Sequence, residues 1–152
     1  MIIRKFKSSD SAQVAKLHRN TIRNINSRDY SAKQIKVWST RTSAKRFRQS
    51  MSKKRRFIGI DKDKILGFGD FSLNGVLTGL YVHKNFQSKG IGRLLLMKME
   101  QQAKKDNIKE FNLSSTITAK NFYEKNKYKT IKKGYHEING QKLIIYRMRK
   151  KL

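Results

Sequence analysis

At 152 residues the chain fits one domain and is long enough to bury a core without covalent staples. It has no cysteine, which excludes disulfides, thiolate metal sites and a cysteine nucleophile, and no apolar run approaches a membrane span, so the expected setting is the cytoplasm, away from membranes. Its 37 Lys and Arg against 10 Asp and Glu give a formal charge of +27, which reads either as a field that attracts polyanions or as a compositional bias toward Lys, Asn and Ile, while His18, His83 and His136 lack metal-ligand spacing and imply no metal site.

In chain order, Ile2–Phe6 alternates as an opening strand, and Ser8, Ser9 and Asp10 offer caps for a helix. Val14, Leu17, Thr21 and Ile25 recur at helical spacing and predict that helix over Ser11 to about Ile25. Asn26-Ser27-Arg28-Asp29-Tyr30 breaks it, and two short helices follow, Ala32–Trp38 and Ser43–Met51. The stretch from Asn24 to Trp38 is a candidate wall of an acceptor pocket, with Asn24, Tyr30 and Trp38 as its contacts; core packing is the competing role for Trp38. No acidic residue occurs from Ser31 to Ile60, where Arg41, Lys45, Arg46, Arg48 and Lys53 to Arg56 crowd together.

Strands are predicted at Arg56–Ile60, Ile65–Ser72 and Val76–Val82, the last two joined by an Asn74-Gly75 hairpin turn. Alternation puts Asp70 on one face with Phe68 and Ser72, where it is a candidate general base or a solvated strand residue. Gly79 inside the third strand suggests a bulge or close backbone approach. Either would splay that strand from its neighbour and free backbone groups at Leu80, Tyr81 and Val82 for a ligand.

A polar loop, Gln87-Ser88-Lys89-Gly90-Ile91-Gly92-Arg93, then opens a helix over Ile91–Lys105, expected to bury Ile91, Leu94, Leu95, Met99 and Ala103. Glycines two residues apart before a helix N-terminus suit a phosphate. Walker A is excluded because Gly92-Arg93-Leu94 stands where Gly-Lys-Ser/Thr is needed, and the dinucleotide fingerprint lacks its third glycine at Leu95. A strand at Ile108–Leu113, a helix at Thr118–Lys125 and a closing pair, Lys127–Lys132 and Lys142–Arg149, complete the chain. No repeat or linker divides it, and the order of elements predicts one α/β domain over residues 1–152 built on a mixed sheet.

Gln87-Ser88-Lys89-Gly90-Ile91-Gly92 resembles the Gln/Arg-x-x-Gly-x-Gly/Ala signature of the GCN5-related N-acetyltransferases (GNAT family). Ala119-Lys120-Asn121-Phe122-Tyr123-Glu124-Lys125-Asn126-Lys127-Tyr128 resembles the family's later Ala-x-x-Phe-Tyr-Glu-Lys-x-Gly-Phe pattern, one strand on. Arg28-Asp29-Tyr30-Ser31 with Gln34 and Trp38 is similar to a bacterial subgroup of mostly unassigned acceptor. The resemblance spans essentially the whole chain. It implies a three-layer sandwich whose mixed, mostly antiparallel sheet has a splayed central strand pair. It also implies acetyl-CoA as co-substrate, no metal, and direct attack of a primary amine on the thioester. Loop residues Gln87, Ser88, Lys89, Gly90, Ile91, Gly92 and Arg93, with Leu80, Tyr81, Val82 and Asn121, would bind the cofactor, and Tyr123 would protonate the departing thiolate.

Two departures stand out. Asn126-Lys127 replaces a glycine, which is a local turn change, and Thr78-Gly79 stands where many relatives carry a basic carboxylate, leaving Asp70 or, less well placed, Glu137 for that role. The expected partners are an amine acceptor of unknown identity and, through charge, polyanions, with room for a homodimer. The competing function is a catalytically inactive basic module of the same fold that contacts nucleic acid or the ribosome; transfer of a longer acyl group is a third.

Overall fold

The structure, a computed structural model, describes residues 1–152. Its elements follow the expected order: β1 (Ile2–Lys5), α1 (Ser11–Asn24), α2 (Ala32–Thr40), α3 (Ala44–Gln49), β2 (Lys54–Asp61), β3 (Lys64–Ser72), β4 (Val76–Val82), α4 (Ile91–Lys105), β5 (Glu110–Thr116), α5 (Lys120–Lys125), β6 (Lys129–Ile138) and β7 (Gln141–Lys151). The strands form one sheet in the order β1-β2-β3-β4-β5-β7-β6, antiparallel except where β4 meets β5. This is the mixed, mostly antiparallel sheet that was expected, and helices cover both of its faces. Most element ends fall within two residues of the expected ones, and two strands differ more. β5 starts two residues late and runs on to Thr116, and β6 runs to Ile138 where the sequence suggested an end at Lys132. β6 is an edge strand held by backbone pairing with β7 and is exposed along most of its length, so apolar alternation does not mark it.

Alternation along β3 distributes the two layers. Phe68 turns to one face and packs with Phe6, Val14, Leu17, Ile58 and Ile65 under α1. Gly67 and Gly69 turn to the other, where a Cβ at Gly69 would lie 2.6 Å from Met99 Cε. The missing side chain lets α4 rest on the strand backbone, and Leu95 and Met99 are fully buried with Phe57, Phe71, Phe111, Leu113 and Met148. Leu94 does not join this stripe. It is 46% exposed, and Leu96, one step round the helix on the other side of Leu95, is buried in its place because α4 leans toward β2 and β3. A third cluster of Ile22, Tyr30, Ile35, Ile138 and Leu143, with Trp38 against it, ties α1 and α2 to the β6–β7 hairpin.

One buried charge pair crosses the first layer. Arg56 on β2 and Asp70 opposite it on β3 are 6% and 3% exposed, and Arg56 Nε donates to Asp70 Oδ2 at 2.7 Å. The rest of the guanidinium donates to the Phe47 carbonyl and to Ser50 Oγ, both at 2.9 Å, and lies between the rings of Phe6 and Phe47. Removing one partner leaves the other charge buried and unpaired. Asp70→Ala is therefore expected to lose about 3–5 kcal/mol of stability in urea denaturation, and a loss below about 1 kcal/mol would mean that water reaches Arg56.

Candidate active site

β4 and β5 pair only at Val76 with Asn112 and Leu77 with Leu113, and then separate. The cause lies on the other side of β4. Phe71 of β3 pairs with Leu77, but Asp70 pairs with Gly79, so Thr78 is an extra residue and β4 carries a bulge. A bulge bends and twists its strand, and from Gly79 to Val82 β4 follows β3 away from β5. The Gly79 signal thus marked the right place, one residue late. The His83 N–H points to β3 and bonds the Leu66 carbonyl at 2.7 Å. Alternation therefore turns the N–H groups of Leu80 and Val82 into the gap. The Val82 carbonyl on that edge accepts from Thr21 Oγ1 at 3.0 Å and from Gln87 Nε2 at 2.6 Å, so α1 and the loop are both pinned to the splayed end of β4.

A cavity of about 620 Å³ fills the gap and passes through the sheet, with Thr21, Ile25 and Asn26 of the first helical layer on one side and Ile91, Phe122 and Tyr123 of the second on the other. At the α4 end Ser88 and Gly90 adopt left-handed conformations, φ 59° and 80°, and no backbone N–H from Gln87 to Arg93 donates a hydrogen bond within the protein. Successive free N–H groups at the start of a 15-residue helix form an anion cradle. A Cβ at Gly90 would meet nothing within 4 Å, so the space above the cradle is open to a ligand. The loop residues Gln87, Ser88, Gly90, Ile91, Gly92 and Arg93 line the cavity together with Leu80, Tyr81 and Val82, whereas Lys89 and Asn121 are exposed outside its wall.

Of the buried tyrosines, Tyr30 donates to the Ile144 carbonyl at 2.6 Å and accepts from the Ile117 N–H at 2.9 Å, and Tyr128 donates to Glu100 at 3.0 Å. The hydroxyls of Tyr123 and Tyr81 have no partner in the protein, and both residues line the cavity. The Tyr123 ring is wedged between Phe122 and Tyr128, and burial pushes its pKa up, so it holds its proton at any pH the protein meets. Tyr81, stacked on Phe68 from the first layer, lines the same cavity, and burial raises its pKa too.

Asp70 sits behind this wall. Its Oδ2 is taken by Arg56 and its Oδ1 accepts from Thr78 Oγ1 at 2.6 Å, so it meets the cavity only through the bulged threonine. Glu137 lies on the exposed β6 edge. Asn24 is exposed and bonds its own helix at the Asn20 carbonyl. Tyr30 and Trp38 pack edge to face within the third cluster, and neither lines the cavity. No Asp, Glu or His does, and no cluster of such residues is arranged to hold a metal ion.

The polar groups facing the first layer are ones the sequence did not single out. Asn26 is 5% exposed, lines the cavity, and its Oδ1 has no hydrogen-bond partner; Thr118 Oγ1, across the cavity in the turn before α5, is buried and unpartnered as well. Buried polar atoms are ordinarily satisfied. Asn26 had a legible signal, since it follows Ile22 by four residues and so continues the buried side of the first helix past its end, where a carboxamide is out of place. Thr118 had none.

A cavity through the sheet, with free N–H groups at a helix N-terminus on its wall, suits a protein that takes a phosphate-bearing co-substrate. A profile of the acetyltransferase (GNAT) domain matches residues 26–152, and the chain belongs to that family of acetyltransferases. It is 23% identical over 149 residues to the uncharacterized N-acetyltransferase YafP of Escherichia coli (strain K12), covering 98% of this chain and 95% of that protein. Its fold is similar to that of a GCN5-related N-acetyltransferase from Rhodopseudomonas palustris, with a TM-score of 0.94, 22% identity, and 99% and 95% of the two chains covered. It is also similar to the PaiA N-acetyltransferase from Thermoplasma acidophilum in complex with coenzyme A, at a TM-score of 0.79, 22% identity, and 99% and 98% coverage.

His18 supplies a test of the packing behind the site. Its ring lies among Phe47, Phe68 and Tyr81, 4.3 Å from the last by centroids, and its Nδ1 meets Thr42 Oγ1 at 2.8 Å. Burial lowers its pKa from 6.5 to about 4; Asp70 opposes the shift, and Arg19, Arg56 and Lys54 add to it. Below about pH 6.5 the unfolded chain takes a proton that the folded chain refuses, so stability falls as pH drops toward 4. Compared with His18→Phe, the parent should lose roughly 2–3 kcal/mol more between pH 7 and pH 4.5 in urea denaturation. Equal losses would place the imidazole in contact with water.

Proposed function

We propose that the chain transfers an acetyl group from acetyl-CoA to a primary amine by direct attack of the amine on the thioester. The observation that carries this is the cavity through the sheet, with free backbone N–H donors at one end and unpartnered polar atoms on its opposite wall. Acetyl-CoA supplies the activated acyl group. The cradle from Gln87 to Arg93 holds its pyrophosphate, and the splayed edge of β4 lies alongside its thioester arm. The Leu80 or Val82 N–H faces the thioester oxygen as negative charge grows there. Asn26 and Thr118 orient the amine, whose nitrogen forms the new C–N bond as the C–S bond breaks. Tyr123, protonated because its surroundings disfavour a phenolate, gives its proton to the thiolate. The proton that the amine nitrogen then sheds passes through water in the cavity and restores the Tyr123 hydroxyl.

The cradle is tested by Gly90→Val, which forces a β-branched residue to φ 80°. Acetyl-CoA affinity, measured by calorimetry, should fall at least about tenfold, with a smaller change in melting temperature. Unchanged affinity would move the phosphates elsewhere. A parent protein that does not bind acetyl-CoA at micromolar concentration would favour the non-catalytic basic module instead.

The proton steps are tested separately. Tyr123→Phe keeps the ring and removes the donor, so turnover in a thiol-release assay should fall by about 10²–10⁴-fold while acetyl-CoA affinity holds. A fully active variant would take Tyr123 out of the mechanism. With no carboxylate or imidazole on the cavity wall, the amine must lose its proton to water, and kcat/KM should rise about tenfold per pH unit from roughly pH 6 to 8 for a lysine-like amine. A plateau beginning near neutrality would assign the proton to a protein group, and Asp70 acting through Thr78 is the first candidate.

A further inference from the structure

On the face of the sheet that carries α1 and α2, β7 presents Leu143, Ile145, Arg147, Arg149 and Lys151 by alternation. Leu143 and Ile145 are buried, Leu143 packing with Ile35 of α2. Beyond them the helices end and the strand continues bare, with Arg147, Arg149 and Lys151 all exposed. The neighbouring strand adds to the charge. Lys132 of β6 stands directly opposite Arg147, and Lys129 directly opposite Arg149. On the other side β5 contributes Ser114 beside Arg147, Asn112 beside Arg149 and Glu110 beside Lys151.

Like charges paired across strands destabilise a sheet, and here two such pairs sit side by side. None of the five cations makes an ion pair or a side-chain hydrogen bond. Elsewhere some cations are paired: Asp10 holds Arg4, Asp106 holds Arg55, Asp70 holds Arg56, and Glu100 holds Lys150, which points to the opposite face of β7. Five cations with Glu110 as the one nearby carboxylate therefore form a strip about 13 Å long, from about 3.3 Å of rise per residue along β7. Most cations of this protein lack a carboxylate partner; what marks this patch is that its cations stand directly opposite one another across two strands, Lys132 with Arg147 and Lys129 with Arg149.

We propose that this strip binds the phosphate backbone of a single-stranded nucleic acid. An acidic protein would match the charge, but protein interfaces bury an apolar centre, and the bare strip offers none among its cations. A phosphodiester strand needs only cations and uncharged donors, and Asn112 and Ser114 supply the donors between the arginines. With no aromatic side chain on the strip to stack bases, binding is independent of base sequence. The strip ends at Ser114, which lines the cavity, so a bound strand lies at the mouth through which the acceptor enters. An amine attached to, or bound with, a nucleic acid is then the acceptor class this chain is built to meet. That last step rests on the acetyltransferase function, but the binding itself does not.

The test uses the full chain and a fluorescently labelled 20-nucleotide single strand of mixed sequence, with affinity followed by anisotropy from 50 to 300 mM salt. Because a protein of charge +27 attracts any polyanion, the comparison is between two triple variants of equal charge. Lys132→Gln/Arg147→Gln/Arg149→Gln removes the strip, and Lys16→Gln/Lys45→Gln/Arg48→Gln removes exposed cations of α1 and α3. The strip variant should bind at least about tenfold more weakly than the control, and its log–log salt slope should flatten by about 2, from roughly 0.7 per lost phosphate contact. Equal weakening in the two would reduce the effect to net charge and overturn the proposal. So would displacement of the oligonucleotide by polyglutamate at equal charge concentration, which would assign the strip to an acidic protein. Acetyl transfer to a small amine should be unchanged in the strip variant, and since binding is read without turnover, its failure leaves the acetyltransferase function standing.

Discussion

The separation of β4 from β5 is the constraint on which the rest of the molecule depends. Two neighbouring parallel strands would ordinarily satisfy each other's backbone groups and seal the sheet. One extra residue at Thr78 bends β4 toward β3, and after two paired residues on each strand the ladder stops. The cost is a set of unpaired backbone groups in the middle of a sheet. They are partly satisfied from outside the sheet, by Thr21 of α1 and Gln87 of the loop on the Val82 carbonyl. The remainder face the cavity, where a ligand can complete them.

The same bulge explains why two layers that otherwise share nothing come to share a site. Gly67 and Gly69 let α4 sink onto β3, which sets the height of the loop at its N-terminus. On the opposite face Phe68 and Asp70 fill the space under α1 and α3, and Asp70 reaches forward to hold Thr78. The loop before α4 and the first-layer wall of the cavity are thus fixed to successive residues of one strand. A shift of one residue in that strand would exchange their faces.

Electrostatics divides the surface in a comparable way. Two carboxylates hold cations against the core, Asp70 beneath Arg56 and Glu100 beside Lys150, while other ion pairs lie on the surface. At the far end of β7 Glu110 is the one carboxylate beside the five cations, and none of the five is in an ion pair. The walls of the cavity itself hold no acidic group and no histidine, and its polar side chains are neutral donors and acceptors apart from Arg93 and Lys125.

Much of this was legible along the chain because it is local. Helical spacing in α1 and α4, the Asn74-Gly75 turn and the glycines at 90 and 92 each act within a few residues of themselves, and those elements stand where periodicity and turn chemistry put them. Two motifs at the family's spacing carried the identity of the domain. What the sequence could not decide depends on neighbours distant along the chain. Whether Leu94 or Leu96 is buried is set by the lean of α4 on β3, and the length of β6 is set by its partner β7. That Asp70 is bound to Arg56 and Thr78, rather than open to a substrate, follows from strand register. Asn26 and Tyr30 are four residues apart, yet the fold puts the first on the cavity and the second in a core cluster. By itself the sequence determined the elements, their order and the loop that starts α4, because these rest on backbone preferences and short-range spacing. The tertiary structure alone decided which side chains meet in the gap between β4 and β5, because burial and register are properties of the assembled sheet.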